Sequence, residues 1–130
     1  QAMTSVLNHI SELLNGMCSS EDVPMAGCWY GACQETKLDR WNYFVFNRVR
    51  TATSSNNIDR ETFYQVHVIH EDYIPEGYID TVIKTLEKTP GPKLKKTSDD
   101  ITYDYTFKGN SNMVVEIATI TFVHPQKRSC

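Results

Sequence analysis

Apolar and polar residues alternate along two stretches near the C-terminal end of the chain. Ile101, Tyr103, Tyr105 and Phe107 fall on one side of an extended backbone, with Thr102, Asp104 and Thr106 on the other. Residues 113–123 repeat the alternation more loosely, and Lys108-Gly-Asn-Ser-Asn112 between them has turn chemistry. The pattern predicts an antiparallel hairpin with one face buried.

A period near 3.6 appears twice. Val6, Leu7, Ile10, Leu13, Leu14 and Met17 form one stripe, with Thr4 or Ser5 as its cap and Asn15-Gly16 as its stop. Tyr78, Ile79, Val82, Ile83 and Leu86 form the other. Pro75 is expected at its first turn, Glu76 and Asp80 suit its N-terminal end, Lys84 and Lys88 suit its C-terminal end, and Pro90-Gly-Pro92 stops it.

Between the helices, Cys28-Trp-Tyr30 suits a short strand, and Trp41 to Val49 is rich in aromatic and β-branched residues. Trp41, Tyr43, Val45 and Val49 oppose Phe44, Phe46 and Arg48, so both faces of this strand carry bulk. Such a strand is either central, with cover above and below, or part of an intersubunit contact. Residues 50–60 read as a polar excursion with a flexible tip, and the chain returns as a strand over 62–70. Two long strands joined this way make an arm that projects from the domain.

The expected architecture is α+β: a mainly antiparallel sheet with a long β-hairpin and two helices packed on it. At 130 residues the chain suits a single domain over 1–130, with residues 125–130 as a mobile tail. Net charge is −3, and acids and bases interleave, which argues against nucleic acid as the main partner. Lys93-Leu-Lys95-Lys96 is the nearest approach to a basic patch and reads as a solvated loop, because Asp99-Asp100 follows it. No apolar run of about 20 residues occurs, and the N-terminus lacks the basic-then-apolar pattern of a signal peptide. Cys18, Cys28, Cys33 and Cys130 permit two disulfides or a metal site on count alone. Their spacing lacks the repeated ligand pairs of a zinc site, so free thiols in a reducing cytoplasm are the better reading.

Candidate chemistry is sparse. His67 and His70 are three apart on a strand and point to opposite faces, so they do not share a ligand. His70-Glu71-Asp72 is a weak cation signal. Asp104 is placed to meet a base across the sheet. Neither a nucleophile elbow nor a Gly-rich phosphate loop is present. The expectation is therefore no enzyme, no catalytic residues, no cofactor and no metal. Aromatic residues instead exceed what one sheet face and two helices can cover. Aromatics and arginine favour interface centres, which makes Phe44, Phe46, Arg48, Arg50, Arg60 and Phe63 the candidate subunit or partner interface, with a solvated hairpin neck as the equal alternative for the three arginines.

In layout, the N-terminal helix, the segment with Trp29-Tyr30, the strands with Trp41-Asn-Tyr-Phe-Val-Phe46 and Phe63-Tyr-Gln-Val-His-Val-Ile69, the helix Tyr78–Leu86 and the final hairpin resemble the tail terminator (tail completion, tail-to-head joining) proteins of long-tailed bacteriophages, the siphophages. The resemblance covers most of the chain and rests on no single motif. It implies a virion protein, assembled in the host cytoplasm, that forms a homohexameric ring on the head-proximal end of the tail tube. Its partners would be itself, the tail tube protein and the head connector or head-closure protein. DNA would pass through the lumen without specific binding. Alternatives are another ring of the same neck, such as a head-closure or minor capsid protein, or a small ferredoxin-like ligand-binding or enzymatic domain.

Overall fold

The computed structural model describes residues 5–20, 23–33, 40–53, 60–88 and 92–126. Among these, the order is α1 (Val6–Cys18), β1 (Cys28–Tyr30), β2 (Tyr43–Thr53), β3 (Arg60–Glu71), α2 (Tyr78–Glu87), β4 (Lys95–Lys96), β5 (Thr102–Phe107) and β6 (Val114–Gln126). The strands form one sheet in the order β1-β2-β3-β6, with β4 and β5 both pairing along the far side of β6. Every pairing is antiparallel except β1 with β2. The α+β class and the long hairpin are as expected.

The register explains the core. Phe44, Val68 and Ala118 lie in one row across the sheet, and Phe46, Val66 and Ile120 in the next. Each is buried, and with Phe122 they pack against Ile10 and Leu14 of α1 and Val82 and Leu86 of α2. Both helices therefore lie on the same face. On the opposite face Val45, Ile69 and Val115 make a smaller cluster, flanked by Trp41, Tyr43 and Ile117. β2 is thus bulky on both sides because it is a central strand with apolar partners above and below.

Local chemistry sets the helix ends, with some departures from the sequence reading. The Ser5 side chain accepts from the Asn8 N–H at 3.0 Å and caps α1. The helix does not stop at Asn15-Gly16. The Asn15 side chain bonds back to the Ser11 carbonyl at 2.9 Å, and the helix continues so that Met17 and Cys18 reach the core. α2 begins at Tyr78 and not at Pro75, because Pro75 to Gly77 form a turn closed by Tyr78 N–H donating to the Pro75 carbonyl. Gly77 at its N-cap has φ 83°, a left-handed conformation that suits glycine.

Three further expectations change. Lys95-Lys96 is not a free loop: it pairs with Val123 and Phe122, and the Lys96 N–H donates to Glu87 of α2. The excursion over 50–60 is narrower, since β2 runs to Thr53 and β3 starts at Arg60; the tip expected between them lies outside the described residues. β6 likewise extends to Gln126, leaving only 127–130 of the expected tail outside the described residues.

The largest correction concerns the final hairpin. β5 and β6 pair as predicted, yet every residue of β5 is exposed. Tyr103, Tyr105 and Phe107 sit in register with Ala118, Glu116 and Val114, on the helix-bearing side of the sheet. The apolar stripes of the helices are consumed by β2, β3 and β6, so nothing remains to cover the edge strand.

Candidate assembly surface

The polar groups in the sheet are tied up structurally. On the face away from the helices, Asn47, His67 and Thr119 form a chain across three strands. His67 Nε2 donates to Asn47 Oδ1 at 3.0 Å, which leaves Nδ1 to accept from the Thr119 hydroxyl at 2.9 Å. Burial holds the His67 imidazole below its ordinary pKa. His70 points the other way and bonds the Glu71 carbonyl through Nδ1 at 2.7 Å. The two histidines are separated as their spacing requires. No cluster of three metal-ligating side chains occurs among the described residues.

Glu71 has a different task. Its Oε2 accepts from Lys108 Nζ at 2.6 Å and from the Trp41 N–H at 2.8 Å. This joins the entry to β2, the end of β3 and the β5–β6 turn at one corner of the sheet. It is the one ion pair among the described residues. The base expected opposite Asp104 is absent there, since that position holds Ile117.

Cys18 and Cys28 are free thiols, while Cys130 lies outside the described residues. Burial, reinforced by neighbouring Cys28, pushes the Cys18 thiol up to about 11. Burial also raises Cys28, against an opposing hydrogen bond from Ser11. Thiols held protonated in this way are poor nucleophiles and poor metal ligands.

Of the six residues predicted for the interface, two are in the wrong place. Phe44 and Phe46 are 0% and 5% exposed and belong to the core under the helices. Their side is the one α1 and α2 cover, a choice that the alternation in β2 leaves open. Arg48, Arg50 and Arg60 are all exposed on the arm formed by the distal halves of β2 and β3, and Phe63 is half-buried beside them. A register shift between Arg48 and Arg50 sets Arg48 opposite Tyr64 and Arg50 opposite Phe63. Those partners are adjacent in sequence, so the bulge sends the two arginines to opposite faces of the arm. Arg48 Nε donates to the Tyr30 hydroxyl at 3.3 Å, and the Arg50 guanidinium stacks 3.9 Å from the Phe63 ring centre.

A second surface lies at the other end of the sheet, and the interface prediction omitted it. Tyr73, Tyr105 and Phe107 are 65%, 63% and 59% exposed, and Tyr103 is exposed beside them. β5 pairs with β6 alone, so its outer row of backbone groups is unpaired among the described residues. Exposed edge strands ordinarily carry lysine, proline or a bulge that discourages further pairing. β5 has none of these, and Asp104 is its only charge. That combination of aromatic alternation without an edge guard was visible in the sequence as Thr102–Phe107. What was missing was the knowledge that the strand is at the edge.

The Glu116 carboxylate organises this region. Oε1 accepts from the Ile74 N–H at 2.7 Å and Oε2 from the Tyr105 hydroxyl at 2.8 Å. Between β5 and the entry to α2 lies a groove of about 450 Å³ whose charged lining residues are Glu76, Asp80 and Glu116. The arrangement offers aromatic side chains, carboxylates and an exposed strand edge, all of them features that can bind a partner. No helix is long and apolar enough to cross a membrane among the described residues. No family model matches the sequence, and no curated protein matches it.

Proposed function

We propose that this chain is a non-enzymatic structural subunit that assembles with copies of itself into a ring, and that the ring caps the head-proximal end of a siphophage tail tube. Capping would end tube polymerisation and join the tail to the head connector. The observation that carries the self-assembly reading is the unguarded edge strand β5, with Tyr103, Tyr105 and Phe107 exposed along it. A monomer gains nothing from that arrangement, whereas a subunit that buries the strand against a neighbour gains apolar burial and strand-edge hydrogen bonds together. The arm at the opposite end supplies a second, different surface, and a closed ring needs two unlike complementary patches per subunit. The tail-end position rests on the layout resemblance of the whole chain.

The test is negative-stain microscopy of tail tubes from a phage mutant lacking this protein, after addition of the purified chain. A ring at one end of each tube, with tubes then competent to join heads, is the expected result. Tubes that stay bare and unjoined would remove the terminator reading.

A further inference from the structure

The groove beside β5 and the arginines of the arm match in chemistry but cannot meet within one subunit. Glu116 at the groove is in register with His70, while Arg60 stands ten residues further along the same strand (70 − 60). At roughly 3.3 Å per residue the separation is about 33 Å. Arg48 is opposite Tyr64, six residues from His70 (70 − 64), or about 20 Å along the strand direction. It also lies on β2, with β3 and β6 intervening before β5.

The groove's charged lining is wholly acidic, and Tyr73 and Tyr103 line it as well. Guanidinium groups suit such a site, because they stack on aromatic rings and donate in a fork to carboxylates. The arm carries Arg48, Arg50 and Arg60, all exposed. Two of them already have partners on their own chain, Tyr30 and Phe63. Arg60 has no ion-pair partner among the described residues.

We propose that the arm of one copy docks on the β5 edge of the next, with Arg60 foremost entering the groove of Tyr73, Tyr103, Glu76 and Asp80. This rests on the assembly reading above and names its contact. The occupant is a second copy because the same chain supplies both the acidic groove and the basic arm. The contact is head-to-tail, so repeating it generates a closed ring or an open filament and not a two-fold dimer. Ion pairs on an exposed rim weaken as salt rises, so association is strongest at low ionic strength.

The test combines photo-crosslinking with charge exchange. A Tyr73→p-benzoylphenylalanine probe is irradiated in the intact chain at high concentration and low salt, and the crosslinked peptides are mapped by mass spectrometry. The expected products join residue 73 of one copy to residues 48–53 or 60–64 of another. Reversing the arm (Arg48→Glu with Arg60→Glu) or the groove (Glu76→Arg with Asp80→Arg) should each reduce the yield about tenfold. An equimolar mixture of the two should recover it, because a reversed arm then meets a reversed groove. All four substitutions fall on exposed residues, and thermal unfolding confirms that each variant is folded. Crosslinks that map elsewhere, an absence of intermolecular product, or failure of the mixture to recover would overturn the contact. Tubes capped by a chain lacking this crosslink would sink the contact and leave the terminator reading intact. The crosslink with bare tubes would do the reverse.

Discussion

Removing the Glu71 carboxylate should loosen the corner where three segments meet. The pair it makes with Lys108 has side chains 15% and 24% exposed, respectively. That places it between exposed pairs, worth about 0.2–1 kcal/mol, and buried ones, whose breakage costs about 3–5 kcal/mol. Glu71→Gln keeps a carbonyl oxygen for the Trp41 N–H but removes the charge, so the expected loss is about 1 kcal/mol. Glu71→Ala also strands the Trp41 N–H, and about 2 kcal/mol is expected. Burial pushes the Glu71 carboxyl up. The Lys108 hydrogen bond, the Trp41 N–H and the charges of Lys108 and Arg40 outweigh it, so the group ends below its ordinary value. A carboxyl lowered on folding contributes stability that is present above its unfolded pKa of about 4.3 and lost as pH falls through the folded value. The gap between wild type and E71Q should therefore be full at pH 7 and shrink in acid. Urea unfolding followed by tryptophan fluorescence reads it, with Trp41 reporting from the corner itself. A cycle with Lys108→Met isolates the pair, since whatever else either side chain touches cancels, and a coupling of about 1 kcal/mol is expected. Equal stability of E71Q and wild type at pH 7, or a gap that stays constant into acid, would refute the assignment.

The burial map makes a contrasting pair of predictions: Phe44→Ala should cost about 3–5 kcal/mol, whereas Phe107→Ser should stay within about 0.5 kcal/mol; similar losses by urea unfolding would contradict the placement of β5 at the edge. Ser5→Ala should cost about 1 kcal/mol through loss of the α1 cap, read as a lower midpoint in thermal melts with the native fold retained. Gly77→Ala should destabilise by about 1–2 kcal/mol because φ is 83° there, with Gly77→Asn milder; a neutral Ala variant would mean that the turn relaxes. NMR titration of His67 should give a midpoint below its ordinary value, because burial favours the neutral ring. An imidazole lowered on folding supports the fold fully above its unfolded pKa of about 6.5, and that support is lost as pH falls through the folded value. A midpoint at or above the ordinary value would contradict the burial of the His67 ring in the sheet.

The sequence by itself determined the two helices, the strands other than β4, and their order. A period of 3.6 in Val6–Met17 and Tyr78–Leu86, and a period of two in Thr62–His70 and Ile101–Phe107, are statements about side-chain direction that hold before any packing occurs. It also determined that His67 and His70 face apart, since that follows from strand geometry alone. Tertiary structure decided which apolar residues are core. Alternation shows that Phe44 and Phe46 share a side, and that Tyr103, Tyr105 and Phe107 share a side. It does not show that helices cover the first pair and stop short of the second set. Edge or centre is a property of strand order, and that order comes from long-range pairing: β6 sits between β3 and β5, and β4 pairs with Phe122 and Val123 further along the same outer side. The same holds for Glu71, whose partners Trp41 and Lys108 are 30 and 37 residues away in the chain. No local pattern marks such a meeting, because it exists only once the sheet has brought three segments to one corner.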